Sequence, residues 1–275
     1  GNDTFVVTGS NLQTASTLAG GAGNDSVSFG GELSGGLIDG GANNDTLNLS
    51  AGVNNGASVL GDAGSDLLLF SSTISAASIG GGSGADSMVF KGAISNSTID
   101  FGADNDIVTF TVAATSTTIL GGTGADTLVF SSGANLVTSS VSGGTDGDSL
   151  VFSAVVKSAT SIAGGGGNDT MVFNSSVGGA FVSLDSGADS VSFVTQVSGA
   201  TMHGGGGTQT MVFSTTADSA TFTGTFGGGF ISLGSGNDNI TFSGAAINGT
   251  TINGADNSDT IHFVAGNNSA VFGSA

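Results

Sequence analysis

The sequence predicts an all-β parallel solenoid of about thirteen coils, each close to twenty residues long. Three observations predict it: a recurring Asp at a nearly fixed spacing, apolar residues alternating behind each Asp, and a Gly-rich segment ahead of it. Residues 1–275 read as one repeat array. The chain opens GNDTFVV inside one repeat and ends NNSAVFGSA inside another, so it reads as a segment of a longer array.

Composition sets the frame. Among 275 residues there are 51 Gly and 18 Phe but no Pro, Cys or Trp, which is not an ordinary globular mixture. Hydrophobic residues still make up 38%, and their fixed period argues for order rather than disorder. Twenty Asp and the single Glu32 face only Lys91 and Lys157, for a net charge of −19. Such a chain repels nucleic acid. No apolar run approaches the roughly 20 residues needed to cross a bilayer, which excludes helical membrane insertion.

The repeats align on Asp3, Asp25, Asp45, Asp66, Asp86, Asp106, Asp126, Asp148, Asp169, Asp189, Gln209, Asp238 and Asp259. Their spacings are 20 to 22 residues, except for 29 between Gln209 and Asp238. Two residues after each anchor the side chain is apolar, and four after it Phe recurs eleven times, from Phe29 to Phe263. That alternation predicts a strand with these residues facing inward. A second strand is marked by an apolar residue seven positions before each later anchor, such as Leu18, Ile38, Val59, Ile79, Ile231 and Ile252. Each coil is therefore expected to run strand, polar bend, strand, Gly-rich turn, with two principal sheets. Phe and all four Met residues form the predicted core column. The 29-residue spacing predicts a longer coil or an insertion at about 214–233, a tolerated loop.

The acids are not scattered. Twelve of the twenty Asp are anchors, and Asp39, Asp62, Asp100, Asp104, Asp146, Asp185 and Asp256 lie within six residues upstream of one. Only Asp218 falls elsewhere. Nineteen carboxylates are thus expected along one edge, about one strand spacing apart, where like charges repel by about 1 kcal/mol each even in high dielectric. Protonation or intercalated cations would relieve this. Calcium suits the second, since it takes six to eight hard oxygen ligands in flexible geometry. The turns GGAGND (20–25), GGSGAD (81–86), GGTGAD (121–126) and GGGGND (164–169) let backbone carbonyls turn inward through positive φ. Asp also shapes turns without a metal, which would explain one Asp per turn but not the additional carboxylates.

These turns resemble the RTX (hemolysin-type calcium-binding) nonapeptide GGxGxDxUx, over nearly the whole chain. The resemblance implies Ca2+ ions in a row along one edge, held by the anchor carboxylates and Gly-rich carbonyls. It places ligands at Asp25, Asp86, Asp126, Asp169 and Asp238, whose coils keep both glycines. The expected glycines are Gly21, Gly23, Gly82, Gly84, Gly122, Gly124, Gly165 and Gly167. Asp45, Asp66, Asp106, Asp148, Asp189 and Asp259 are further candidates. In their turns Asn43, Asp104, Asp146 and Asn257 replace the second glycine and Asp62 and Asp185 the first, each offering an extra side-chain oxygen. Gln209 lacks the carboxylate, so a gap in the ion row is expected there. The commonest family members carry Gly-rich turns on both sides of an 18-residue coil; the one-sided pattern here looks more like the repeats of large bacterial adhesins.

Catalysis finds little support: His203 and His262 are the only histidines, Arg and Cys are absent, and no Asp pair stands out among so many. The expectation is a structural protein of the bacterial cell surface, assembling laterally or end to end as a surface layer or filament. An outward apolar file at Leu69, Val89, Val129, Val151, Val172 and Val212 offers a packing face. The alternative is a calcium-rigidified spacer or ligand-binding segment of a secreted adhesin, with a surface glycan as a further conceivable partner. An ice-binding face would want a repeated Thr or Asn file, which the turn positions Ala22 and Asn24, Ser83 and Ala85, and Thr123 and Ala125 do not supply. Resemblance to the family implies an extracellular location reached by type I secretion, with folding driven by external calcium.

Overall fold

The computed structural model describes residues 1–243, 246–264 and 268–273. It is a parallel β-solenoid of about thirteen coils with about twenty residues per turn, and no helix is present among the described residues. The chain divides into two compact units, Gly1–Ala134 and Asn135–Ala275.

In the first unit the strands that follow each anchor, Thr4–Val7 through Thr127–Phe130, pair in parallel with their counterparts one coil away. The six-residue strands that precede each anchor, Thr17–Ala22 through Thr118–Thr123, form the second sheet. Alternation dictates both: Val27 and Phe29 are buried while Ser26 and Ser28 are exposed. A third sheet of two-residue strands was not anticipated. Leu33–Ser34, Val53–Asn54, Ile74–Ser75, Ile94–Ser95 and Ala114–Thr115 stack at the corner between the two long strands. A single inward apolar residue is too short a pattern to announce a strand. It leads into a tight bend whose residue takes φ near +50° at Ala76, Asn96 and Ser116.

The core is a set of axial columns. Phe70, Phe90, Phe110 and Phe130 stack with ring centroids 4.9, 4.9 and 4.7 Å apart and planes within 6° of parallel. The centroid distances match the inter-strand spacing, so each ring contacts the next without leaving its strand. In the second unit Phe152, Phe173, Phe193 and Phe213 stack at 4.8, 4.9 and 5.0 Å with planes opening from 8° to 26°, and Met171, Met202 and Met211 are buried.

The expected insertion at 214–233 is absent. Gln209–Val212 pairs with Gly229–Ser232, and Thr201–His203 pairs with Thr221–Thr223, so the coil keeps its twenty residues. What changes is the side of the coil on which the repeat motif sits. Met202 is followed along its sheet by Phe222, Phe242 and Phe263, while Met211 is followed by Ile231 and Ile252. The motif has moved from one long strand to the other, and the 29-residue spacing is one coil plus a displacement of nine residues.

Replacing Phe110, fully buried between Phe90 and Phe130, by Ala should destabilise the first unit by ~3–5 kcal/mol. Thermal unfolding monitored by circular dichroism measures it; a loss below about 1 kcal/mol would contradict a rigid aromatic column.

Candidate metal centre

Each anchor sits at the end of a Gly-rich turn, immediately before a strand. Its carboxylate is fixed by the coil before it: Asp25 N–H donates to Asp45 Oδ1 (2.7 Å), Asp45 N–H to Asp66 (2.6 Å), Asp66 N–H to Asp86 (2.7 Å) and Asp86 N–H to Asp106 (2.7 Å). Asp106 N–H continues the ladder to Asp126. In the second unit Asp148 N–H donates to Asp169 Oδ1 (2.9 Å) and Asp169 N–H to Asp189 (3.0 Å). All these carboxylates are 1–3% exposed.

The second oxygen of the carboxylate is different. Oδ2 of Asp25, Asp45, Asp66, Asp86, Asp106, Asp169, Asp189 and Asp238 is buried without a hydrogen-bond partner. A carboxylate oxygen stripped of water and left unpaired is costly, so a regular row of them calls for a ligand. Five of these eight face the glycine five residues before the anchor: a β-carbon on Gly20, Gly40, Gly61, Gly81 or Gly164 would strike Oδ2 of Asp25, Asp45, Asp66, Asp86 or Asp169. The carbonyl oxygens of Gly40, Gly81 and Phe101, each one coil further on, approach the same points beside Gly20, Gly61 and Gly81. Unpartnered carboxylate oxygens and main-chain carbonyl oxygens of the adjoining coil therefore lie near one another, a set of hard oxygens consistent with calcium. Among the described residues no three Asp, Glu or His side chains cluster, so backbone carbonyls would have to complete the coordination shell.

Backbone conformation supports the turn assignments. Gly21, Gly23, Gly82, Gly84, Gly122, Gly124, Gly165 and Gly167 all take φ between +95° and +118°. Their non-Gly replacements do likewise: Asn43, Asp62, Asp104, Asp146, Asp185 and Asn257 have φ between +56° and +82°. The extra side-chain oxygens do not join the buried row. Asp62, Asp104 and Asp146 are exposed, and Asp104 Oδ2 accepts from Gly84 N–H (3.1 Å) rather than joining the buried row. Asp185 accepts from the Ser183 hydroxyl (2.5 Å). These residues serve as left-handed turn formers that short polar side chains tolerate.

Two expectations about the row are corrected. Asp238 and Asp259 do not continue the edge that carries Asp189. Asp218, set aside in the sequence, is the first rung of a second file: Val197 N–H donates to Asp218 Oδ1 (2.7 Å), Asp218 N–H to Asp238 (2.7 Å) and Asp238 N–H to Asp259 (3.1 Å). This file occupies the corner held in earlier coils of the unit by Leu136, Val156, Val177 and Val197. The sequence did hold the signal, since Ala220 and Phe222 follow Asp218 at the anchor spacing. At the first edge Gln209 accepts from Asp189 N–H through Oε1 (3.1 Å), while its Nε2 donates to Gly187 O (3.2 Å) and Gly206 O (3.1 Å).

Burial pushes the carboxyls up. The carboxyl of Asp66 rises to about 7, that of Asp106 to about 8, and those of Asp86, Asp169 and Asp238 to about 6. The backbone N–H that each accepts works against this rise, and adjacent carboxylates add to it. Asp45, Asp189 and Asp218 are raised for the same leading reason, burial.

No family model matches this chain, and no curated protein does. Its fold is similar to that of a hyperactive, Ca2+-dependent, β-helical antifreeze protein from an Antarctic bacterium, known from a crystal structure. The TM-score is 0.58 at 23% identity, over 95% of this chain and 83% of that one. At that identity the likeness establishes the fold alone.

The raised carboxyls fix the sign of a pH dependence. Without metal, a group whose folded pKa exceeds its unfolded value lends stability fully present below about pH 4. That stability is lost as pH rises through the folded values of about 6 to 8. EDTA-treated protein should therefore lose stability between pH 4 and 8, whereas in millimolar calcium, where protons compete with the ion, stability should increase over the same range. Denaturant unfolding at several pH values measures both slopes; parallel slopes with and without calcium would refute a carboxylate-bound ion.

Proposed function

We propose that the chain is a calcium-stabilised structural protein of the bacterial cell surface that associates with further copies of itself. The observation that carries the calcium part is the row of buried, unpartnered Asp Oδ2 atoms facing backbone carbonyls of the adjoining coil. Intercalated divalent cations would offset most of the −19 charge, and millimolar calcium outside cells would keep such sites filled. An extracellular location, with export by type I secretion, follows from that dependence and from the resemblance of the turns to RTX repeats.

Self-association is supported by the outward face of the sheet behind the anchors. In the first unit Leu67, Leu69, Val89, Ile107 and Val129 point outward from strands that carry no charged side chain, and Ile107 is 58% exposed. The carboxylates of this unit lie on the turns and on the other sheet, so this face is where two highly acidic copies could approach with least repulsion. The role proposed is structural rather than catalytic.

A second reading rests on hydroxyl files on the other sheet of the second unit. Thr201, Thr221 and Thr241 occupy consecutive Cα-paired positions, beside His203, Thr223 and Ser243 two residues along the strands. Such a grid, with repeats of ~4.8 Å along the axis and about 6.7 Å across it, is a regular hydroxyl surface of the kind that could order water. It lies on a sheet face and not on the Gly-rich turns.

Titrating calcium into EDTA-stripped protein, with far-UV circular dichroism and light scattering recorded together, separates these readings. The expected result is a gain of β-structure followed by growth beyond a monomer. Folding without growth would leave a calcium-rigidified spacer of a larger adhesin, and indifference to calcium would remove the metal argument. Thermal hysteresis of the calcium-loaded protein, expected to be absent, would establish the hydroxyl-grid reading if it were found.

A further inference from the structure

Gln209 and Asp218 lie nine residues apart on one coil of the second unit, and the two corners they occupy change character together. Before this coil the first corner carries carboxylates, Asp169 and Asp189, and the second carries Val177 and Val197. After it the first corner carries Gly229 and Thr250, while the second carries Asp238 and Asp259. Gln209 is 1% exposed and repeats the anchor's role with one oxygen, accepting the Asp189 N–H. Its second polar atom inverts that role. Where Asp189 presents an unpartnered anionic oxygen, Gln209 presents an amide nitrogen that donates to Gly187 O and Gly206 O. Thr250, also 1% exposed, offers its single hydroxyl proton further along, to Phe226 O (3.3 Å) or Gly228 O (3.2 Å). Gly187 O and Gly206 O thus receive a donor from the Gln209 side chain, in addition to the Gly187 N–H that Gly206 O accepts.

On the new corner the opening rung is likewise self-sufficient. Asp218 Oδ2 receives the Ser214 hydroxyl (3.0 Å), and its Oδ1 receives the Val197 N–H. One coil later Asp238, 2% exposed, has an unpartnered Oδ2. We infer that the second unit holds two separate cation files on different corners, handed over at a metal-free coil. In that coil the Gln209 carboxamide substitutes for the cation, and the second file begins at Asp238. The inference rests on the calcium reading above but goes beyond it. It assigns Gln209 as the residue that ends one file and Asp238 as the ligand that founds the other.

The charge of the substituting group explains why the handover is stable. An amide donor satisfies two carbonyls without adding an anion, so no carboxylate is left for a cation to neutralise. A carboxylate at position 209 would restore the oxygen-only pocket and with it the need for an ion.

The test counts bound calcium per chain by native mass spectrometry and by equilibrium dialysis, with circular dichroism confirming the fold of each variant. Gln209→Asp should bind one calcium more than the wild type, and Asp238→Asn one fewer. In the double variant the two changes should cancel, because the files are separate. Gln209→Met, which keeps the length but removes the donor, should leave the count unchanged and lower the melting temperature in EDTA by several degrees. A folded Gln209→Asp variant with the wild-type count overturns the handover, as does a folded Asp238→Asn variant that loses no ion. A wild type that binds no calcium overturns the underlying calcium reading as well, so the two failures are distinguishable.

Discussion

Everything in this solenoid depends on one repeated hydrogen bond, from the backbone N–H of one anchor to the carboxylate Oδ1 of the next. That bond sets each Asp side chain in the turn interior and so places the second oxygen where water does not reach. It also ties the repeat length to the chemistry. An anchor displaced by one residue would face the wrong side of its strand and lose both its donor and its glycine-lined space. The buried charge is therefore built into the fold, and the raised carboxyl groups express how poorly an ion-free interior accommodates it.

The strands and core were legible because alternation is a direct consequence of backbone geometry. Inward Val27, Leu47, Leu68 and Met88 could be assigned from position alone, as could the Phe column. The short corner strands were not legible: one buried residue such as Ile74 or Ile94 gives no period to detect. The carboxylates divided along a physical line. Anchors precede the apolar alternation and are carried into the interior with it. Asp62, Asp104 and Asp146 sit where the chain reverses, and a residue with positive φ at that point turns its side chain to solvent. Sequence proximity put them on the right edge but could not give the direction in which they point.

The displaced motif was misread for a related reason. A spacing of 29 has two arithmetical explanations, an enlarged coil or a whole coil plus a half-coil displacement, and Asp218 has no Gly-rich turn ahead of it to mark the second. Its turn, Ser214 to Asp218, is instead held by hydroxyls: Ser214 bonds both Thr216 (2.9 Å) and Asp218. Side-chain hydrogen bonding has replaced glycine in shaping the corner. The Phe rings record the event, since Phe213 and Phe222 meet tilted by 56°, whereas Phe222 and Phe242 resume stacking at 4.8 Å.

The nine-residue displacement carries a consequence for how such chains change length. Because the motif operates on either long side of a coil, the two sides are interchangeable hosts for the same run of residues. A recombination event that deletes or duplicates half a coil, ordinarily ruinous to a stacked array, would here only transfer the motif to the facing side. Coils beyond the junction would remain in register with those before it. An array with this symmetry can be lengthened, shortened or spliced in half-coil steps, and a genetic drift in repeat number that would break a one-sided solenoid becomes for this one a tolerated variation.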